Sequence, residues 1–130
     1  MPALKEKGIA LLSTTTVTTN LSTTGATTLY TVPIGKTCIL SHAVLTAAGD
    51  VGADLAVTIG QVGALTDFVG TTNGDNLDAA NDCILIAPVP SATPATNKQY
   101  TAGEILQINV AVAGNAVAGV VDLYGMIKDA

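Results

Sequence analysis

Few side chains in this sequence could do chemistry, and they are scattered. His42 is the single histidine, Cys38 and Cys83 are the two cysteines, and the ten carboxylates include Asp75, Asp78 and Asp82 in one polar stretch and Glu104 beyond it. A nucleophile needs a base within hydrogen-bond reach. Cys38 and His42 stand four residues apart, which in an extended strand is about 13 Å, so no local pair forms, although a tertiary one stays open. A histidine inside an apolar strand reads as a core or interface group. The cysteines show neither the CxxC spacing nor the histidine pairing of zinc sites. Buried thiols acting as small hydrophobes are the simpler reading, and a disulfide between neighbouring strands is the alternative.

Residues 70–82 carry Asn73, Asp75, Asn76, Asp78, Asn81 and Asp82. Calcium takes hard oxygen donors of this kind, which makes Asp75, Asp78 and Asp82 the candidate metal ligands. The glycine and terminal glutamate of an EF-hand loop are missing, and Asp and Asn also favour plain turns by bonding their own backbone. A solvated loop is therefore the competing reading. Asp75 and Glu104 are the one carboxylate pair that glycoside hydrolysis could use, but the chain has little of the aromatic surface that sugar clefts offer. No GxSxG, P-loop or dinucleotide motif occurs. No catalytic residue and no cofactor is expected.

The composition fits a packing role. At 130 residues the chain is of single-domain size, and hydrophobic residues make up 48% of it, which excludes a disordered chain. The apolar residues are mainly Ala, Val, Ile and Leu, with one Phe, three Tyr and no Trp, and charged residues are only 12%. That is about half the usual share for a soluble domain, so much of the surface is suited to burial against other chains. The net charge is −5 and there is no arginine, which argues against a nucleic-acid partner and against a polybasic membrane surface. No run approaches the roughly 18 apolar residues of a membrane span, and the apolar piece after Lys5 and Lys7 is too short for a signal sequence.

Period-two runs broken by Gly, Pro and Asn recur throughout, and helical periodicity is nearly absent. Strands are expected over residues 9–19, 27–32, 37–46, 54–61, 83–87, 98–101, 104–112 and 116–127, with a short piece reaching Val69. The third should place Cys38, Leu40, His42 and Val44 on one face. Gly114-Asn115 should close a tight hairpin between the last two runs. Residues 88–97, with three prolines, should form a loop. The fold class that follows is all-β: an antiparallel β-sandwich of jelly-roll-like type with an extended N-terminal arm. Residues 1–19 form that arm or a first strand, and residues 20–130 form one sandwich domain.

The segment from Thr28 to Thr46, with its Tyr30-Thr-Val-Pro-Ile-Gly-Lys-Thr37 turn, resembles a recurrent pattern of phage structural proteins. The pieces from Tyr100 to Val110 and from Val121 to Ile127 resemble the closing hairpin of small jelly-roll virion proteins. The resemblance covers less than half the chain and implies a capsid decoration, or cement, protein. Such a protein would self-associate, commonly as a homotrimer, on the outer capsid surface of the virion and bridge subunits of the major capsid protein. An arm lying over the shell would use Pro2, Leu4, Ile9, Leu11 and Leu12, and deleting residues 2–19 would then abolish shell binding while leaving the fold intact. Other readings are a tail, baseplate or fibre-associated component, and a small calcium- or carbohydrate-binding module.

Overall fold

The computed structural model describes residues 8–88 and 97–130. They form nine strands: β1 (Ala10–Thr16), β2 (Gly25–Thr31), β3 (Lys36–Ala47), β4 (Ala56–Gln61), β5 (Ala64–Asn73), β6 (Cys83–Ile86), β7 (Gln99–Thr101), β8 (Ile105–Val112) and β9 (Gly119–Asp129). One sheet runs β1-β9-β3-β6, with β7 also on β3, and the other runs β2-β8-β4-β5. Every pairing is antiparallel. The protein is an all-β antiparallel sandwich. Its pairs β1·β9, β2·β8, β3·β6 (with β3·β7) and β4·β5 are those of a ribbon doubled back on itself and wound into two layers.

Thin apolar side chains fill the space between the sheets. Leu40, Leu45, Leu123 and Ile86 of the first sheet meet Leu29, Ile59, Leu106 and Ile108 of the second in one core cluster. Tyr100 is the largest fully buried side chain. The Pro33-Ile-Gly35 turn forms as its residues dictate: Gly35 has φ +77°, and the Lys36 amide donates to the Pro33 carbonyl at 3.1 Å.

The hairpin expected at Gly114-Asn115 does not form. β8 lies in one sheet and β9 in the other, so residues 113–118 cross between layers. They are held by bonds to other loops, from the Gly114 amide to Leu21 O (2.9 Å) and from the Asn115 amide to Val51 O (2.8 Å). Both strands turn their apolar side toward the same core from opposite layers, so the sequence alternates as it would in a hairpin.

The facing of β3 is also corrected. Its register against β9 slips between Leu40 and His42, making Ser41 the surplus residue of a β-bulge. Cys38 and Leu40 point inward before the bulge, and Ala43 and Leu45 after it. His42 and Val44 therefore face outward, opposite to the face expected for them.

Of the two expectations for residues 1–19, the strand is what Ala10–Thr16 form, paired to β9 along the sheet edge. Residues 1–7, including Pro2 and Leu4, lie outside the described residues, as do residues 89–96 of the proline-rich loop. Val17 is 3% exposed in the core and β1 pairs β9, so deleting residues 2–19 removes part of the sandwich along with any shell contact. Removing residues 2–19, which strips an edge strand and a core valine, should cost more than about 3 kcal/mol in urea unfolding.

Candidate interaction surface

The strand directions sort the loops into two ends. Residues 17–24, 48–55, 74–82 and 113–118 lie at one end, and the 32–35, 62–63 and 102–104 turns lie at the other. Asp50, Asp54, Asp75, Asp78 and Asp82 all fall at the first end, which holds no lysine. The turn end carries the Lys36–Asp129 ion pair (2.5 Å) and Ile34, which is 95% exposed. Asp75 and Glu104 thus stand at opposite ends and form no carboxylate pair.

Of the candidate calcium ligands, Asp82 braces the turn with its carboxylate, whereas Asp75 and Asp78 enter it through their backbone amides. Asp82 Oδ2 accepts from the amides of Asp78 (3.1 Å) and Ala79 (3.0 Å), and the Asp75 amide donates to Asn73 Oδ1 (2.7 Å). Among the described residues no group of three or more His, Cys, Asp or Glu is placed to hold a metal ion.

His42 is half-buried on the outer face of the first sheet. It stacks on Tyr124 with ring centroids 4.6 Å apart and planes 13° apart. Its Nδ1 lies 2.9 Å from Ser41 Oγ, the spacing of a nucleophile and its base. Among the described residues, however, no carboxylate bonds to the ring to orient it.

The cysteines are not partners. Cys38 is buried opposite Tyr100, whereas Cys83 is exposed opposite Thr46, eight positions further along β3, or roughly 26 Å away at strand spacing. The expectation of two buried thiols is therefore met only by Cys38, and an intrachain disulfide is excluded. Burial pushes the Cys38 thiol up to about 11. In native protein one thiol, Cys83, should react with a maleimide, and Cys38 only on unfolding. Because folding raises the Cys38 value from 9.0 to about 11, its contribution is intact below pH 9 and lost as pH climbs through that window. Urea unfolding at pH 10.5 should show a loss on the order of 2 kcal/mol relative to pH 8, with a shallower pH dependence in Cys38→Ala.

The feature that stands out is the outer face of the first sheet. Leu11, Tyr124 and His42 form one row across β1, β9 and β3. Thr14, Asp122, Val44 and Leu85 form the next, ending on β6. Leu11 (52%) and Leu85 (65%) stand exposed at the two edges, and Ile9 (60%) is exposed just before β1. Of the N-terminal residues read as partner-binding, Ile9 and Leu11 are available to another molecule. Leu12, at a bulge in β1, packs on the protein's own core. The facing of Val44 escaped the sequence reading because it depends on the Ser41 bulge, whereas Tyr124 and Met126 were read on the parity of Asp122, and only the neighbouring of β9, β3 and β6 joins them to Val44 and Leu85 in one face.

The class of fold defined here, a small two-layer antiparallel sandwich, has solved counterparts. A chain in the acidic stable capsid structure of the Helicobacter pylori bacteriophage KHP30 superposes with a TM-score of 0.59 at 16% identity, covering 94% of this chain and 92% of that one. A chain of the cyanophage Pam1 capsid asymmetric unit does so with a TM-score of 0.50 at 15% identity, covering 92% of this chain and 84% of that one. At these identities the likeness is one of fold. No protein-family model matches the sequence, and no curated protein matches it.

Proposed function

We propose that this chain is a virion structural protein of the decoration type, seated on the outer surface of a capsid and stiffening it by bridging neighbouring subunits of the major capsid protein. The observation that carries the reading is the end-to-end likeness to the KHP30 capsid chain, which leaves little of either chain over. The described strands make a small two-layer sandwich, a shape suited to sitting on a shell. The wound-ribbon pairing supports the jelly-roll class within the sandwiches. The low charge and the apolar outer face supply surface for burial, and many weakly bound copies on a lattice reinforce one another by multivalency. No reaction is involved.

The test is the number of copies per particle. Particles purified from the source should carry this chain at about the abundance of the shell protein, and stripped particles should take up added protein. A handful of copies would move it to a tail or vertex. Absence from particles would overturn the virion reading and return the chain to the binding modules.

A further inference from the structure

The outer face of the β1-β9-β3-β6 sheet gathers Leu11, Ile39, Val44, Leu85, Tyr124 and Met126 among a few polar residues such as Thr14, Thr46 and Asp122. In the other sheet, β8 alternates buried Leu106, Ile108 and Val110 with outward Gln107 and Asn109, the pattern of a sheet with one wet face. β3 and β9 bury one side in the same alternating way, but their outward side carries more large apolar residues. Outward from β3 point Ile39 and Val44, and outward from β9 point Val120 and Met126, around the His42–Tyr124 stack. No residue of β3 is exposed. Strands apolar on both sides belong to sheets covered on both faces. The one carboxylate in the face among the described residues, Asp122, already accepts the Thr14 hydroxyl at 2.7 Å.

We infer that two copies of this chain pack these outer faces against each other, extending each two-layer sandwich into a four-layer stack. The face is a sheet surface rather than a groove, and the surface that fits it is another sheet of the same twist about 10 Å away. A second copy supplies one. Four lanes at about 4.8 Å spacing and about 3.3 Å rise, with 7, 11, 12 and 4 residues in β1, β9, β3 and β6, give a face of roughly 540 Å². Two such faces bury about 1,100 Å² together, just above the roughly 1,000 Å² that a biological interface should clear. The charge distribution permits the contact, since the carboxylates of Asp50, Asp54, Asp75, Asp78 and Asp82 lie in the end loops and off this face. This inference deepens the assembly role proposed above, and it builds a dimer rather than the trimer that the resemblance implies.

The experiment is sedimentation of the full chain from about 1 µM to about 1 mM. The variants are Leu85→Glu and Leu11→Glu, exposed residues at opposite edges of the face, together with Asp122→Asn, which removes its charge. Wild type should be a reversible dimer. Each glutamate should weaken it by about ten-fold or more, and Asp122→Asn should strengthen it. Maleimide reaction at Cys83, exposed on β6 beside Leu85, should slow as dimer forms. A monomer at every concentration overturns the inference, as does a trimer or a dimer that none of the variants moves. A monomer whose shell uptake is lost in Leu85→Glu would give the face to the shell instead, leaving the decoration reading standing. A face-to-face dimer missing from particles would do the reverse.

Discussion

Replacing Gly60 with alanine should cost this protein about 3–5 kcal/mol, enough to leave a small domain largely unfolded. Gly60 lies near the end of β4, where the register against β5 slips sharply. Between the Ile59–Val69 and Gln61–Ala64 pairs, β5 holds three more residues than β4. The surplus folds across Gly60. A Cβ there would stand 2.1 Å from the Ala64 carbonyl oxygen, 2.6 Å from the Leu65 carbonyl carbon and 2.8 Å from Asp67 Oδ1. Two of these obstacles are backbone, so no rotamer change relieves the clash and the hairpin has to open. Gly70→Ala is the matched control. Nothing lies within 4 Å of its added Cβ, and the change should stay within about 0.5 kcal/mol. Urea midpoints of the two variants would decide it, and equal midpoints would refute the account of the bulge.

That bulge also shows what the sequence could not convey. Strand content was legible because alternation and Pro/Gly punctuation are local. The run read over residues 37–46 is β3 (Lys36–Ala47), and the run read over residues 104–112 is β8 (Ile105–Val112). Partnership was not legible, because alternation says that a strand has an inner face but not which layer it joins. Hence β8 and β9, the pair that read most clearly as a hairpin, separated into different sheets. Bulges have no strong residue signature, so Ser41 gave no warning that the facing of His42 and Val44 would invert. The same limit hid Asp67. Among Leu65, Thr66 and Phe68 it reads as a lone charged residue in a largely apolar piece, and its importance depends on Tyr100, thirty-three positions away.

Asp67→Ala should be the second most damaging change, at about 3 kcal/mol. The Asp67 carboxylate joins the two layers. Its Oδ1 accepts from the Tyr100 hydroxyl at 2.8 Å and from the Gln61 amide at 3.1 Å, and its Oδ2 lies 3.4 Å from Lys98 Nζ. Tyr100 has no exposed surface. Burial, then the hydrogen bond and the charge of Asp67, hold its phenol in the protonated, donating form far above the usual range. Without the carboxylate, the buried Tyr100 hydroxyl and the Gln61 amide lose their acceptor in a part-buried site, and each such loss costs up to about 1–3 kcal/mol. The lysine contributes little, since it is 41% exposed, and Lys98→Ala should cost under about 1 kcal/mol. The decisive comparison is a double-mutant cycle. Tyr100→Phe alone removes the donor and should cost about 1 kcal/mol. Combined with Asp67→Ala, it should cost less than the sum by about 1 kcal/mol, because the orphaned hydroxyl is gone. Strict additivity in urea unfolding would mean that the hydroxyl finds another acceptor when Asp67 is removed, and that the two layers are joined by apolar packing alone.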